Sequence, residues 1–148
     1  MATLSYSADD YYFAGLFDGE GSVSVYHRDD YGTGALHTKV ILTVSMCVEA
    51  PIQGLKTHFG GGTVRQGRLT ASGRPVWTWY QVGVPAKPTL EVLKAICRVK
   101  RPQIVLALEA IELIERTKHR SRRKRITPEE HIRRGEIAQE IRALKAVS

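Results

Sequence analysis

The chain has little cysteine. Among its 148 residues only Cys47 and Cys97 occur, and they form no close pair. That excludes a disulfide framework and a thiolate zinc site, and leaves two single buried thiols as the expectation. Acid is scarce relative to base: 15 Asp and Glu stand against 22 Lys and Arg, for a net charge of +7. No run of about 18 apolar residues is present, so no stretch is suited to span a bilayer and no membrane partner is expected. The first residues, MATLSYSADD, lack the basic-then-apolar order of a secretory signal. An intracellular location follows as an expectation. The five histidines, His27, His37, His58, His119 and His131, show no metal-ligand spacing.

What remains is a soluble composition, 43% hydrophobic and 25% charged, in a length that fits one domain over 1–148. The charge is uneven. Residues 1–99 hold 9 Lys and Arg against 8 Asp and Glu, whereas 100–148 hold 13 against 7. Between Arg116 and Arg125 lie seven basic residues and no acid. A polyanionic partner, nucleic acid first, accounts for this best. A disordered arm or a localisation signal is the plainer reading of the run.

Periodicity gives the element order. Ser7-Ala8-Asp9-Asp10 reads as a capping box opening a helix over 8–20. Ser22–Arg28 alternates with period two, with Val23 and Val25 inward and Ser24, Tyr26 and Arg28 outward. Asp29–Gly34 is turn-rich, and Lys39–Met46 is a second strand, so the two form a hairpin. A helix from Pro51 to Phe59 ends at Gly60-Gly61-Gly62. Strands over Thr63–Leu69 and Val76–Gly83 follow, the latter with Trp77 and Trp79 inward. Helices are predicted over Pro88–Val99 and, after a break at Pro102, over Gln103–Thr117 with Ile104, Leu108, Ile111 and Ile114 in one apolar stripe. Thr127-Pro128-Glu129-Glu130 opens a last helix to Val147. The fold class is α+β: an αββαββα core over about 7–115, a curved antiparallel sheet with helices on one face, and a basic helical extension over 116–148.

The most unusual stretch is Phe13-Ala14-Gly15-Leu16-Phe17-Asp18-Gly19-Glu20-Gly21. Glycine inside a helix costs about 1 kcal/mol relative to alanine. Gly15 and Gly19 lie four apart on one side, a spacing that lets a second helix backbone approach closely. If that helix is another copy of itself, two Glu20 carboxylates meet at helix C-termini, where the dipole already disfavours negative charge. Divalent cations or protons would relieve the repulsion.

This segment, followed by a Ser-Val strand, resembles the LAGLIDADG homing endonuclease family, with Phe13 and Phe17 in aliphatic places and Gly19 in that of the second alanine. The element order matches as well, over about residues 7–115. One motif in the chain implies the homodimeric class, with Phe13, Gly15, Leu16 and Gly19 at the interface. The resemblance implies a sequence-specific, Mg²⁺-dependent DNA endonuclease. Glu20 and the Gly19 carbonyl would hold Mg²⁺, and Lys100 would stand at the scissile phosphate as a catalytic residue. Asp18 is read as capping or bracing the motif helix rather than binding metal. The Gln that in the family usually follows the second strand has no counterpart in Met46-Cys47-Val48-Glu49. The DNA-binding set is Ser24, Tyr26, Arg28, Lys39, Thr43, Ser45, Arg65, Thr78 and Tyr80 on the outward face, with Arg68 and Arg74 at a turn. A non-cleaving DNA-binding regulator and an RNA-binding intron maturase of the same fold are the alternatives. A basic module that merely dimerises through its glycines is a third.

Overall fold

The computed structural model describes residues 5–27, 38–118 and 126–147. Arg28, the turn expected over Asp29–Gly34 and residues 119–125 of the basic run lie outside them. Helix α1 spans Ala8–Glu20. Its start is the anticipated reciprocal cap: Asp10 N–H donates to Ser7 Oγ at 3.0 Å, and Ser7 N–H donates to Asp10 Oδ2 at 2.8 Å. Its end is forced by packing. A Cβ on Gly21 would lie 2.5 Å from the Phe17 carbonyl and 2.6 Å from the Phe17 ring, so only glycine lets the chain pass directly from helix to strand.

The sheet contains β1 (Gly21–His27), β2 (Thr38–Met46), β3 (Thr63–Leu69) and β4 (Pro75–Val82). The order is β1-β2-β4-β3 with every neighbouring pair antiparallel. Alternation sends Val23, Val25, Val40, Leu42, Val44 and Trp79 into the core. Both tryptophans of β4 point inward, Trp79 fully buried and Trp77 partly so. The Trp79 indole N–H donates to the Gly61 carbonyl at 3.0 Å. Near the edge of the sheet, β3 carries a bulge between Gln66 and Leu69.

Helices α2 (Glu49–Phe59), α3 (Lys87–Ile96), α4 (Arg101–Lys118) and α5 (Pro128–Val147) complete the chain, with a 3-10 turn at Val84–Ala86 before α3. Ile52, Leu55, Leu90, Leu93, Ile104 and Ile111 join Phe17 and the inward strand residues in one apolar cluster. Each such side chain contributes about 1.5–3 kcal/mol by leaving water. Of the predicted α4 stripe, Ile104 and Ile111 are fully buried, and Leu108 and Ile114 pack partly buried against the cluster.

Three expectations are corrected. Helix α3 ends at Ile96 rather than Val99. Pro102 lies inside the first turn of α4 rather than breaking the chain, because the N–H that proline lacks has no partner in a first turn. The core expected over 7–115 also continues into α5, whose Ile137, Ala138 and Ile141 are buried in the same cluster. Buried Arg134 secures α5, donating to Thr38 Oγ1 at 2.9 Å and to the Leu113 carbonyl at 3.0 Å. No helix among the described residues is long and apolar enough to cross a membrane.

Candidate nucleic-acid interface and its acidic helix end

Ala14 and Phe17 anchor α1 in the core, which turns the opposite side of the helix out. Gly15, Gly19 and Glu20 are exposed. A Cβ added at either glycine would meet nothing within 4 Å, so the strip is open to an approaching backbone. Leu16 flanks it, half-buried. Tyr12, 56% exposed, shares the same side by helical spacing and was not singled out in the sequence. Phe13 is half-buried. Its ring turns to α2 of its own chain, stacked on His58 at 5.0 Å, and fills the space a Cβ at Gly54 would need.

Asp18 ties this helix end to the loop that carries Lys100. Its Oδ2 accepts from Arg98 N–H at 3.1 Å and Val99 N–H at 3.2 Å, and its Oδ1 from Lys100 N–H at 2.8 Å. Desolvation pushes the Asp18 carboxyl upward, but these three backbone donors and the Lys100 charge outweigh it, and its pKa falls below the ordinary value. Lys100 in turn opens α4, its carbonyl accepting from Ile104 N–H at 3.0 Å. Cys97 closes the joint, its thiol donating to the Ala14 carbonyl at 3.4 Å. Burial, with the Asp18 charge second, raises that thiol to about 12, so it is inert at neutral pH. The other thiol, Cys47, is only half-buried.

Among the described residues, the sheet face that points away from the helices carries no acid on its strands. None of the four strands contains an Asp or Glu, while Lys39, Arg65 and Arg68 lie on them. Cross-strand register brings the expected residues into rows on one face. Tyr26 pairs with Lys39; Thr43 pairs with Tyr80, which pairs in turn with Thr63; Ser45 pairs with Thr78, which pairs with Arg65. The Ser45 and Thr78 hydroxyls share a hydrogen bond at 2.7 Å, and the Arg65 guanidinium lies 5.8 Å from the centre of the Tyr80 ring. Tyr26, Lys39, Ser45 and Arg65 are exposed; Ser24, Thr43, Thr78 and Tyr80 are half-buried. Arg68 and Arg74 stand exposed at the bulge and at the β3–β4 turn. Ser24 is already engaged: Lys145 Nζ donates to its Oγ at 2.7 Å. Ile41 and Val82, paired across β2 and β4, add an apolar spot to this face that polar patterning did not single out.

Among the described residues no group of three or more His, Cys, Asp or Glu side chains gathers as a metal cluster. A single chain therefore presents Glu20 with main-chain carbonyls at the end of α1. Carboxylate and carbonyl oxygens are hard donors suited to Mg²⁺, which commonly binds one or two carboxylates and completes its shell with phosphate oxygens and water.

With this geometry in place, the comparisons define the class: the chain has the fold of the LAGLIDADG homing endonucleases. It is similar to the homing endonuclease I-CvuI in complex with its target in the presence of 2 mM Ca, with 25% identity, 92% of this chain and 83% of that one covered, and a TM-score of 0.68. It is similar to the archaeal intron-encoded homing endonuclease I-Vdi141I complexed with DNA, with 15% identity, 91% and 82% coverage and a TM-score of 0.74. It also matches the LAGLIDADG homing endonuclease I-GzeII in complex with its DNA target, at 16% identity and a TM-score of 0.69, covering 94% of this chain but 45% of that one. No family model and no curated protein matches the sequence.

Proposed function

We propose that this chain is the subunit of a homodimeric, divalent-cation-dependent endonuclease that cuts double-stranded DNA at a long pseudo-palindromic site. The observation that carries the reading is a four-stranded face with no acid on its strands, bordered by a helix whose open glycine strip ends on an exposed carboxylate. Phosphates disfavour acid on a surface that meets them, and Arg, Lys, Ser, Thr and Tyr supply backbone and base-edge contacts. The homodimer is supported by the bare Gly15–Gly19 strip and by the fit of this fold to 45% of the I-GzeII chain. Twofold symmetry in the protein calls for twofold symmetry in the site.

In this reading Glu20 and the Gly19 carbonyl hold Mg²⁺, which when bound polarises the scissile phosphate and lowers the pKa of water. Lys100, fixed through its backbone by Asp18, offers its ammonium to the charge that develops on the phosphate. Tyr26, Lys39, Arg65 and Tyr80 hold the duplex in register while Arg68 and Arg74 reach beyond it.

Selection of cleaved duplexes from a random library with Mg²⁺, and with Ca²⁺ in parallel, tests the proposal. A recovered site with imperfect twofold symmetry is expected. Glu20→Gln should lower cleavage by about 10³-fold, the scale of several kcal/mol of lost charge stabilisation, and leave affinity within a few-fold. Specific binding without cleavage by the wild-type chain would favour the regulator reading. That reading has one observation behind it: the turn after β2 offers Cys47 and Val48, and no amide, where the family usually carries Gln.

A further inference from the structure

The last helix returns to the sheet. Between β1 and α5 lies a cleft of about 130 Å³, with Ala138 and Ile141 as its floor and Ser24, Tyr26, Arg142 and Lys145 around its rim. Two cationic and two hydroxyl-bearing side chains thus line one cleft at the β1 edge of the sheet, and among the described residues no carboxylate joins them. Lys145 is held in place, half-buried, with its Nζ 2.7 Å from Ser24 Oγ. Burial, and then the like charge of Lys100, disfavour its protonated form. Arg142 lines the same cleft and adds a second positive charge to it. An anion there answers both charges and takes the hydroxyls as further donors.

We propose that this cleft binds one backbone phosphate of the DNA duplex, with the Lys145 ammonium as its main ligand and Arg142, Ser24 and Tyr26 as further donors. The inference rests on the DNA-binding reading and assigns α5 a direct part in it. The floor keeps the cleft narrow, and the ammonium reaches the phosphate oxygen as a charge-assisted donor. Phosphate contacts position a duplex without reading its bases, so α5 would set the register of the face.

The test is duplex binding by the full-length chain, followed by fluorescence anisotropy in Ca²⁺ between 50 and 300 mM KCl, roughly the range over which phosphate contacts show their salt dependence. Lys145→Gln should weaken binding about tenfold or more and flatten the plot of log affinity against log salt by about 1 per lost contact, or about 2 for a dimer. Lys145→Arg should keep most of the slope. Lys94→Gln, an equal loss of charge on α3, should leave it unchanged. Ser24→Ala, which removes the internal hydrogen bond but not the ammonium, should also preserve the slope. A wild-type slope in Lys145→Gln overturns the inference. So does equal flattening in Lys94→Gln, or a loss of binding in Lys145→Gln that tracks a lower melting temperature and that Lys145→Arg fails to restore. Absence of duplex binding by the wild-type chain overturns the functional reading together with the inference. Binding by the wild type with an unchanged slope in the variant overturns the inference alone.

Discussion

Asp18 shows how one side chain joins two parts of the proposed site. It receives three backbone N–H groups from the loop before α4, so Asp18→Ala leaves those donors without their acceptor. A loss of about 0.5–1.5 kcal/mol is expected on urea unfolding, the net worth of a hydrogen bond, because water reaches the Arg98 and Val99 donors. The pH dependence has a definite sign. The folded-state pKa of Asp18 lies below its ordinary value of 3.8, so its contribution is full above that value and drains away as pH falls through the lower, folded one. Asp10, bonded first by the Ser7 backbone, and Glu109, bonded first by Arg133, are lowered in the same direction. Unfolding midpoints measured from pH 6 down to pH 2 should hold steady and then fall, and Asp18→Ala should fall less. At the same joint, Cys97 should resist thiol reagents in the native state while half-buried Cys47 reacts. Counting labelled thiols by mass before and after denaturation checks this, and two fast-reacting thiols in the native chain would contradict it.

At the scale of elements, the motif helix was the most legible part of the chain. Its cap, length and exposed glycines follow from Ser7, Asp10, Gly15 and Gly19, which act within a few residues of one another. Strand β3 was equally legible, because Thr63–Leu69 is bounded by glycine on one side and a turn on the other. The α3–α4 junction was not. Which residues leave the helix there is decided by Asp18, some eighty positions earlier, and no local pattern carries that information. The same holds for α5, whose Lys145 meets Ser24 across 121 positions of sequence. The glycine strip gives this scale its own prediction. A Cβ at Gly15 meets nothing within 4 Å inside the chain, and leucine there replaces a poor helix former with a good one, a gain of up to about 1 kcal/mol. Gly15→Leu should thus melt no lower as an isolated subunit, yet fail to self-associate in sedimentation. Unaltered dimers would show that copies meet elsewhere.

On the scale of the whole molecule, charge is separated by layer. Strands without acid form one side, while carboxylates such as Glu91, Glu109, Glu112 and Glu115 sit on the helices. Affinity for duplex should therefore fall steeply with salt, and two chains should bind per specific site. Titration at a concentration well above the dissociation constant would expose a one-to-one complex. The bulge in β3 matters here too. A protein that keeps one side of its sheet bare for a large partner must survive alone in water until that partner arrives. Bare sheets tend to grow by adding foreign strands at their margins. Here one margin lies beneath α5, and the other is kinked at Gly67 and Arg68 and carries positive charge, so it makes a poor template. The same irregular, positively charged rim thereby disfavours the stacking of free copies into fibres.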